Sequence, residues 1–273
     1  MSAADVAEVQ AAVRANRVWY HTLDLGHGVV TPGWFDHRTV VDRLPWPEVA
    51  GKRCLDVGTY DGFFAFELER RGAAEVVAVD IESHEGWDWP PDVRASGGED
   101  LAQFVGPEKG AGFRVAQQAL GSAVERRLVS AYDLAPDVVG TFDVVVCGTL
   151  LLHLRDPLRA LEAIRTVCRG QFLSAEQIDL GLTALHLRHP VAKLNGSGPL
   201  CQWWEANLAG HRRMLFAAGF AIEAATRPYC VPFGVAHPKL PLNLANARQQ
   251  VLQRLLAGGW GVPHGAALAR PRV

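Results

Sequence analysis

The 273-residue sequence predicts an α/β fold, a doubly wound and mostly parallel seven-stranded sheet that ends in an antiparallel C-terminal hairpin. Three observations predict it. Short apolar runs alternate with longer amphipathic stretches through the middle of the chain, the pattern of βαβ units whose sheet is buried on both faces. A strand-like run at 53–57 passes into a glycine-bearing turn and then into an amphipathic stretch. Hydrophobic residues make up 49% of the chain and charged residues 21%, which supplies a buried core and argues against a disordered composition.

Residues 1–50 come first and carry Trp19, Tyr20, His21, Trp34, Phe35 and Trp46, more rings than a linker needs, so this segment is expected to cover a substrate. The first strand is 53–57, and a helix over 63–71 follows with Gly72 in the left-handed position just past its end. The second strand is 75–80. After a loop rich in tryptophan and proline at 83–91, the stretches 111–120 and 126–132 hold the third strand and its neighbours. The fourth strand, 142–148, is the most convincing, an apolar run beginning at an acid.

Asp156 can cap the next helix and Pro157 suits its first position. Leu158, Leu161, Ile164 and Cys168 form the expected buried stripe, closed by Gly170. A fifth strand at 171–176 leads into a cap-like insertion at about 178–204. A helix from about 204 to 218, ended by Gly219, and strands at 220–226 and 229–235 complete a Rossmann-like order. The core spans 51–240 and a C-terminal extension spans 241–273.

Composition limits the partners. With 27 basic against 29 acidic residues the net charge is −2, which gives no global attraction to nucleic acid or anionic lipid and favours a small or neutral partner. The pairs Arg126-Arg127 and Arg212-Arg213 read as solvated faces or strand ends. Five cysteines, Cys54, Cys147, Cys168, Cys201 and Cys230, are odd in number and lack a C-x-x-C pair, which fits a reducing cytosol. The acid-bearing start has no apolar leader pattern, and no stretch reaches the roughly 18–20 apolar residues of a membrane span. A cytoplasmic protein is expected.

The sharpest motif is Cys54-Leu55-Asp56-Val57-Gly58-Thr59-Tyr60-Asp61-Gly62-Phe63-Phe64. Gly58 removes a side chain where a ligand approaches the backbone, and Gly62 permits the turn into a helix whose N-terminal amides face a polar group. Asp56 stands just before the turn, at the strand end where open α/β sheets bind ligands. A dinucleotide site would need G-x-G-x-x-G, whereas Tyr60 and Phe63 fill its second and third glycine positions and obstruct a pyrophosphate. Asp80 ends the second strand 24 residues beyond Asp56, placed to accept bonds from ribose hydroxyls. Its other reading is an ordinary turn or cap aspartate.

The pattern D-x-G-x-x-x-G resembles motif I of class I S-adenosylmethionine-dependent methyltransferases. That resemblance implies that Asp56, Gly58, Thr59, Tyr60 and Gly62 line the methionine end of the cofactor, that Asp80 takes the ribose and that Ile81 lies against the adenine. Ala131-Tyr132-Asp133-Leu134 is similar to the family's adenine segment, so Asp133 and Leu134 are carried over as adenine contacts. The stretch 140–148 matches its fourth strand and brings Gly148 to the cofactor, with Asp143 structural at the far end. The stretch 148–157, with His153 inside it, is similar to tRNA wobble-uridine (mo5U34) methyltransferases and their carboxymethyl-transferring relatives. Trp19-Tyr20-His21 and 31–35 look like segments of bacterial small-molecule methyltransferases.

Methyl transfer from a sulfonium is an in-line displacement, so the protein chiefly positions the acceptor and excludes water. A hydroxyl acceptor calls for a general base, and histidine titrates near neutrality. His153, just past the fourth strand, is the first candidate and His21 the second, with Glu176 as an orienting acid. Each also reads as a hydrogen-bonded structural residue. Trp19, Tyr20, Trp34, Trp203 and Trp204, with the Trp87/Trp89 loop, are candidates for an apolar acceptor pocket. His186 and His189 lack partners at metal-ligand spacing, so no metal is expected. Three functions compete: an O-methyltransferase of a small or specialised metabolite, a tRNA-modifying methyltransferase, and a non-catalytic cofactor-binding protein. The acceptor, the methylated atom and the oligomeric state stay open.

Overall fold

A computed structural model of the chain describes residues 3–81, 83–95, 109–198, 201–238 and 244–272. Its centre is an eight-stranded sheet built from β1 (Arg53–Val57), β2 (Glu75–Asp80), β3 (Glu125–Leu128), β4 (Phe142–Gly148), β5 (Cys168–Gln177), β8 (Phe220–Ala225), β9 (Tyr229–Val231) and β10 (Val262–Pro271). The order is β3-β2-β1-β4-β5-β10-β8, with β9 beside β10. The first five strands run parallel, and β10 runs antiparallel to β5, β8 and β9. Two short strands, β6 (Ala192–Leu194) and β7 (Trp204–Ala206), form a separate antiparallel ribbon.

Alternation along each central strand feeds two core layers, as expected of a sheet covered on both faces. Cys54, Val76, Ala78, Val144 and Val146 pack on one side with Trp19, Phe64, Leu68 and Phe113. Leu55, Val57, Val77, Val79, Val145 and Cys147 pack on the other with Leu161, Ile164 and Phe220. Gly72 and Gly219 follow helix ends at φ of 85° and 90°. Asp156 accepts the Arg159 N–H at 3.1 Å and caps the helix Pro157–Val167.

The structure corrects four expectations. The buried stripe of that helix is Pro157, Ala160, Leu161, Ile164 and Val167, so Leu161 and Ile164 lie where expected, whereas Leu158 is 40% exposed and the buried Cys168 already belongs to β5. Gly170 does not end the helix: β5 already begins at Cys168, and a Cβ at 170 would overlap the Asp143 carbonyl of neighbouring β4. The helix expected from 204 is Leu208–Ala217, since Asn207 caps it by accepting the Gly210 N–H at 2.7 Å while Trp204–Ala206 pairs as β7. Finally, the antiparallel part is not a hairpin of 220–226 with 229–235. Both segments pair instead with β10, from the 241–273 extension, which lies inside the sheet between β5 and β8.

Candidate functional site

The carboxyl ends of β1, β2, β4 and β5 and the start of β10 share one edge of the sheet. Asp56, near the end of β1, is 1% exposed, and its Oδ2 has no hydrogen-bond partner. Burial pushes its carboxyl up to about 7, and the nearby Asp80 adds to the shift. Gly58 holds φ at 77° and donates its N–H to Val79 O at 2.9 Å. A Cβ there would stand 2.9 Å from Leu150 Cδ2, so glycine is what keeps the turn open. Thr59 is buried, and its hydroxyl stands by the Asp56 carboxyl, where it partly offsets the upward shift that burial causes. Tyr60 adopts φ of 47°, a left-handed backbone that is uncommon outside glycine.

Two oxygens of Asp80 organise the loop. Oδ2 accepts the Tyr60 N–H at 2.9 Å, and Oδ1 accepts the Ile81 N–H at 2.8 Å while forming a buried ion pair with Lys109. The Lys109 ammonium lies 5.4 Å from the ring centroids of both Tyr60 and Trp87. Beyond β3, Leu134 is 3% exposed, whereas the Asp133 carboxylate is largely solvent-exposed, 3.9 Å from Arg159 Nη2.

Asp61 ties the N-terminal segment to this loop. Its Oδ2 accepts the backbone N–H of Tyr20 at 2.6 Å and of His21 at 3.0 Å. Burial pushes its carboxyl up to about 7. The Tyr20 ring then packs 4.9 Å from Phe35 and 5.5 Å from Tyr60. Trp19 is 1% exposed and donates Nε1–H to Val13 O at 3.1 Å, a core position. Trp34 is half-buried, and its carbonyl accepts the Gly234 N–H at 2.7 Å. His21 and His37 are both buried with ring centroids 5.4 Å apart, and each leaves Nδ1 without a hydrogen-bond partner. Burial pulls His21 down to about 3, so it is neutral near pH 7.

At the ends of β4 and β5, Glu176 accepts the N–H groups of Leu150 at 3.4 Å and Leu151 at 3.1 Å, and burial pushes it up to about 8. The phenols of Tyr20 and Tyr229 are both raised by burial and, next, by the charge of Glu176. Thr149 follows Gly148 at φ of 54°, with Oγ1 3.0 Å from His264 Nε2. His153 lies elsewhere: its Nδ1 is 3.0 Å from Cys201 O, and its ring stacks 6.2 Å from Trp87. Trp203 donates its indole N–H to Asp88 O, and Trp204 donates to Arg155 O at 3.1 Å.

The structure thus gathers Asp56, Gly58, Thr59, Tyr60, Gly62, Asp80, Ile81, Gly148 and Glu176 along the sheet edge, with Tyr20 and His21 closing over them. His153 and Trp203 belong to an adjoining tryptophan cluster with Trp87 and Trp89. Sequence reasoning missed Asp61, Lys109, His37, Thr149 and His264. Asp61 stands inside the glycine turn and Thr149 inside the stretch 148–157, so both were open to notice; Lys109, His37 and His264 carry no local motif, and only the fold brings them in. Among the described residues, no group of three or more His, Cys, Asp and Glu is placed to hold a metal ion, and no helix is long and apolar enough to cross a membrane.

A family profile described as a methyltransferase domain matches residues 37–222, more than half of the chain. The chain belongs to the methyltransferase domain family. This methyltransferase is 30% identical over 132 residues to a ubiquinone biosynthesis O-methyltransferase of Acinetobacter baumannii (strain AYE), covering 46% of each chain. A protein of the same name from Pseudomonas aeruginosa (strain LESB58) is 30% identical over 139 residues, covering 48% of this chain and 49% of that one. The match therefore spans about half the length of these curated relatives. Among solved structures, the N-terminal domain of EvdMO1, determined in the presence of SAH and D-fucose, aligns with a TM-score of 0.56 at 16% identity, covering 98% of this chain and 97% of that one. The [4+2]-cyclase SpnF aligns with a TM-score of 0.53 at 17% identity, covering 98% and 93%. These two show the shared Rossmann-like fold, and the cyclase shows that the fold alone does not fix the reaction.

The residues present fit S-adenosylmethionine. A buried oxygen of Asp56 lacks a donor, the left-handed turn at Gly58 passes under Leu150 with no room for a Cβ, and Asp80 stands at the end of the second strand.

Proposed function

We propose that this methyltransferase transfers the methyl of S-adenosylmethionine to an oxygen of a small, hydroxyl-bearing molecule, such as a specialised metabolite, with a neutral histidine taking the proton. The observation that carries the reading is a set of buried side-chain atoms short of hydrogen-bond partners at the sheet edge: Asp56 Oδ2, His21 Nδ1 and His37 Nδ1. A buried polar group left unsatisfied costs about 1–3 kcal/mol, and native proteins keep such groups chiefly where a ligand or a catalytic role uses them. Relatives named as O-methyltransferases support oxygen as the acceptor atom.

When bound, S-adenosylmethionine supplies an electrophilic methyl on a sulfonium sulfur. Asp56 would meet its cationic amine, Asp80 its ribose hydroxyls, and Ile81 and Leu134 its adenine. Tyr20, held over the loop by Asp61, excludes water from the edge. A tRNA acceptor would favour a cationic track at this edge, yet the lysine beside the ribose carboxylate, Lys109, is buried and paired with Asp80. A small acceptor fits better.

Calorimetry with S-adenosylhomocysteine tests the cofactor assignment. Asp80→Ala removes a charged acceptor, and bonds to charged groups contribute about 1.5–3 kcal/mol, so affinity falls about 10- to 100-fold. Unchanged affinity defeats the assignment. The reaction is tested by release of S-adenosylhomocysteine from S-adenosylmethionine with phenolic and sugar acceptors. Cofactor binding without release marks a non-catalytic binder.

A further inference from the structure

We infer that Thr149 and His264 form the proton-accepting couple of the active site, Thr149 touching the acceptor hydroxyl and His264 receiving the proton through it. The inference rests on the O-methyl reading above. It begins with a tautomer. His264 Nδ1 is 2.8 Å from Val262 O, and a carbonyl only accepts, so Nδ1 bears the hydrogen. Nε2 therefore presents a lone pair, and the hydroxyl 3.0 Å away, Thr149 Oγ1, donates to it. With its own hydrogen committed to His264, Thr149 Oγ1 keeps its lone pairs for a second hydroxyl.

The place is right for an acceptor. Thr149 leaves β4 at the ligand-binding edge, and the next residue, Leu150, lies directly over Gly58 of the cofactor loop. Thr149 is half-buried, whereas His264 behind it is 3% exposed and stacked 5.9 Å from Tyr229. A β-branched residue at φ of 54° is strained and persists only where the surroundings enforce it. Here the Thr149 N–H is held by Ala175 O at 2.9 Å and its hydroxyl by His264.

In the step, the acceptor O–H bond breaks and its proton passes to Thr149 Oγ1 as the threonine proton passes to His264 Nε2. The freed oxygen pair forms the bond to the methyl carbon, and the electrons of the carbon–sulfur bond leave with sulfur. His264, which burial pulls down to about 4, holds the proton only transiently, as an imidazolium with Nδ1–H on Val262 O, and gives it up once product has left. His153 has the same tautomer, with its Nδ1 on the Cys201 carbonyl, but its ring stands against Trp87 in the tryptophan cluster rather than behind Thr149.

Two measurements test this on the full chain. Nitrogen-15 NMR of histidine-labelled protein should show His264 with a protonated Nδ1 and a bare Nε2, the latter shifting in Thr149→Val; a protonated Nε2 overturns the couple. In turnover with S-adenosylmethionine and a panel of phenols (catechol, 4-hydroxybenzoate), Thr149→Val and His264→Gln should each lower kcat about 100-fold or more, the range for a general base. Thr149→Ser should restore most of it, and the double variant should be no slower than either single one. S-adenosylhomocysteine affinity should change less than about threefold. Full turnover in Thr149→Val overturns the inference, as does failure of Thr149→Ser to rescue. If the wild type turns over no hydroxyl acceptor, the O-methyl reading fails, and the tautomer alone then decides whether the couple exists.

Discussion

Asp56 is a carboxyl whose surroundings set its charge before any ligand arrives. Burial brings it to about 7, so near neutral pH it carries a proton about half the time. A cationic amine beside it favours the ionised form, which lowers its pKa in the complex. Cofactor binding therefore releases a proton, and affinity should rise as pH climbs through about 7 and level off above it. Calorimetry of S-adenosylhomocysteine at pH 6 and pH 8, in buffers of different ionisation enthalpy, measures both quantities. Asp56→Asn should remove most of the pH dependence; retention of the full dependence would shift the assignment to Asp61, which burial also raises to about 7. The places of Asp56 and Asp80 near strand ends were legible because strand, turn and acid follow within the 28 consecutive residues 53–80.

Among the elements, the β4–β5 pair shows how a glycine is read correctly as punctuation and wrongly as to kind. Gly170 follows an amphipathic helix, as a helix-ending glycine does, yet its function is to let β5 approach the Asp143 carbonyl. Gly170→Ala should lower the unfolding free energy by about 1–3 kcal/mol, the usual cost of overpacking a tight contact. Urea unfolding checks this, and a neutral result would mean that the two strands separate freely here. Asp143, expected to be structural, accepts the Arg53 N–H at 3.0 Å and pairs with Arg169. It fastens the amino ends of β1, β4 and β5, opposite the edge where the ligand residues stand.

For the molecule as a whole, the last strand decides completeness. β10 pairs with β5 over His264 to Ala269 and with β8 over Ala267 to Pro271, so it carries the sheet across a gap that neither neighbour closes. Its inner residues, Ala266, Ala267 and Ala269, are essentially buried. A chain cut before Val262 should lose its cooperative thermal transition and bind no S-adenosylhomocysteine, read by differential scanning fluorimetry and calorimetry. A shortened protein that still melts sharply would show that β10 is dispensable. The N-terminal segment is similarly integrated: Trp19 enters the core, and Phe35 bridges to Phe233 beyond β9.

The sequence by itself determined the α/β class, the glycine-bearing turn after the first strand and the acid at the end of the second, because those depend on residues close together in the chain and on periodicities of two and 3.6. The tertiary structure alone decided that an alanine-rich stretch lacking β-branched residues, 265–269, is a central strand, since strand preference there comes from burial between neighbours rather than from side-chain type. With that strand came His264, 115 residues from Thr149 in the chain and 3.0 Å from its hydroxyl in the fold.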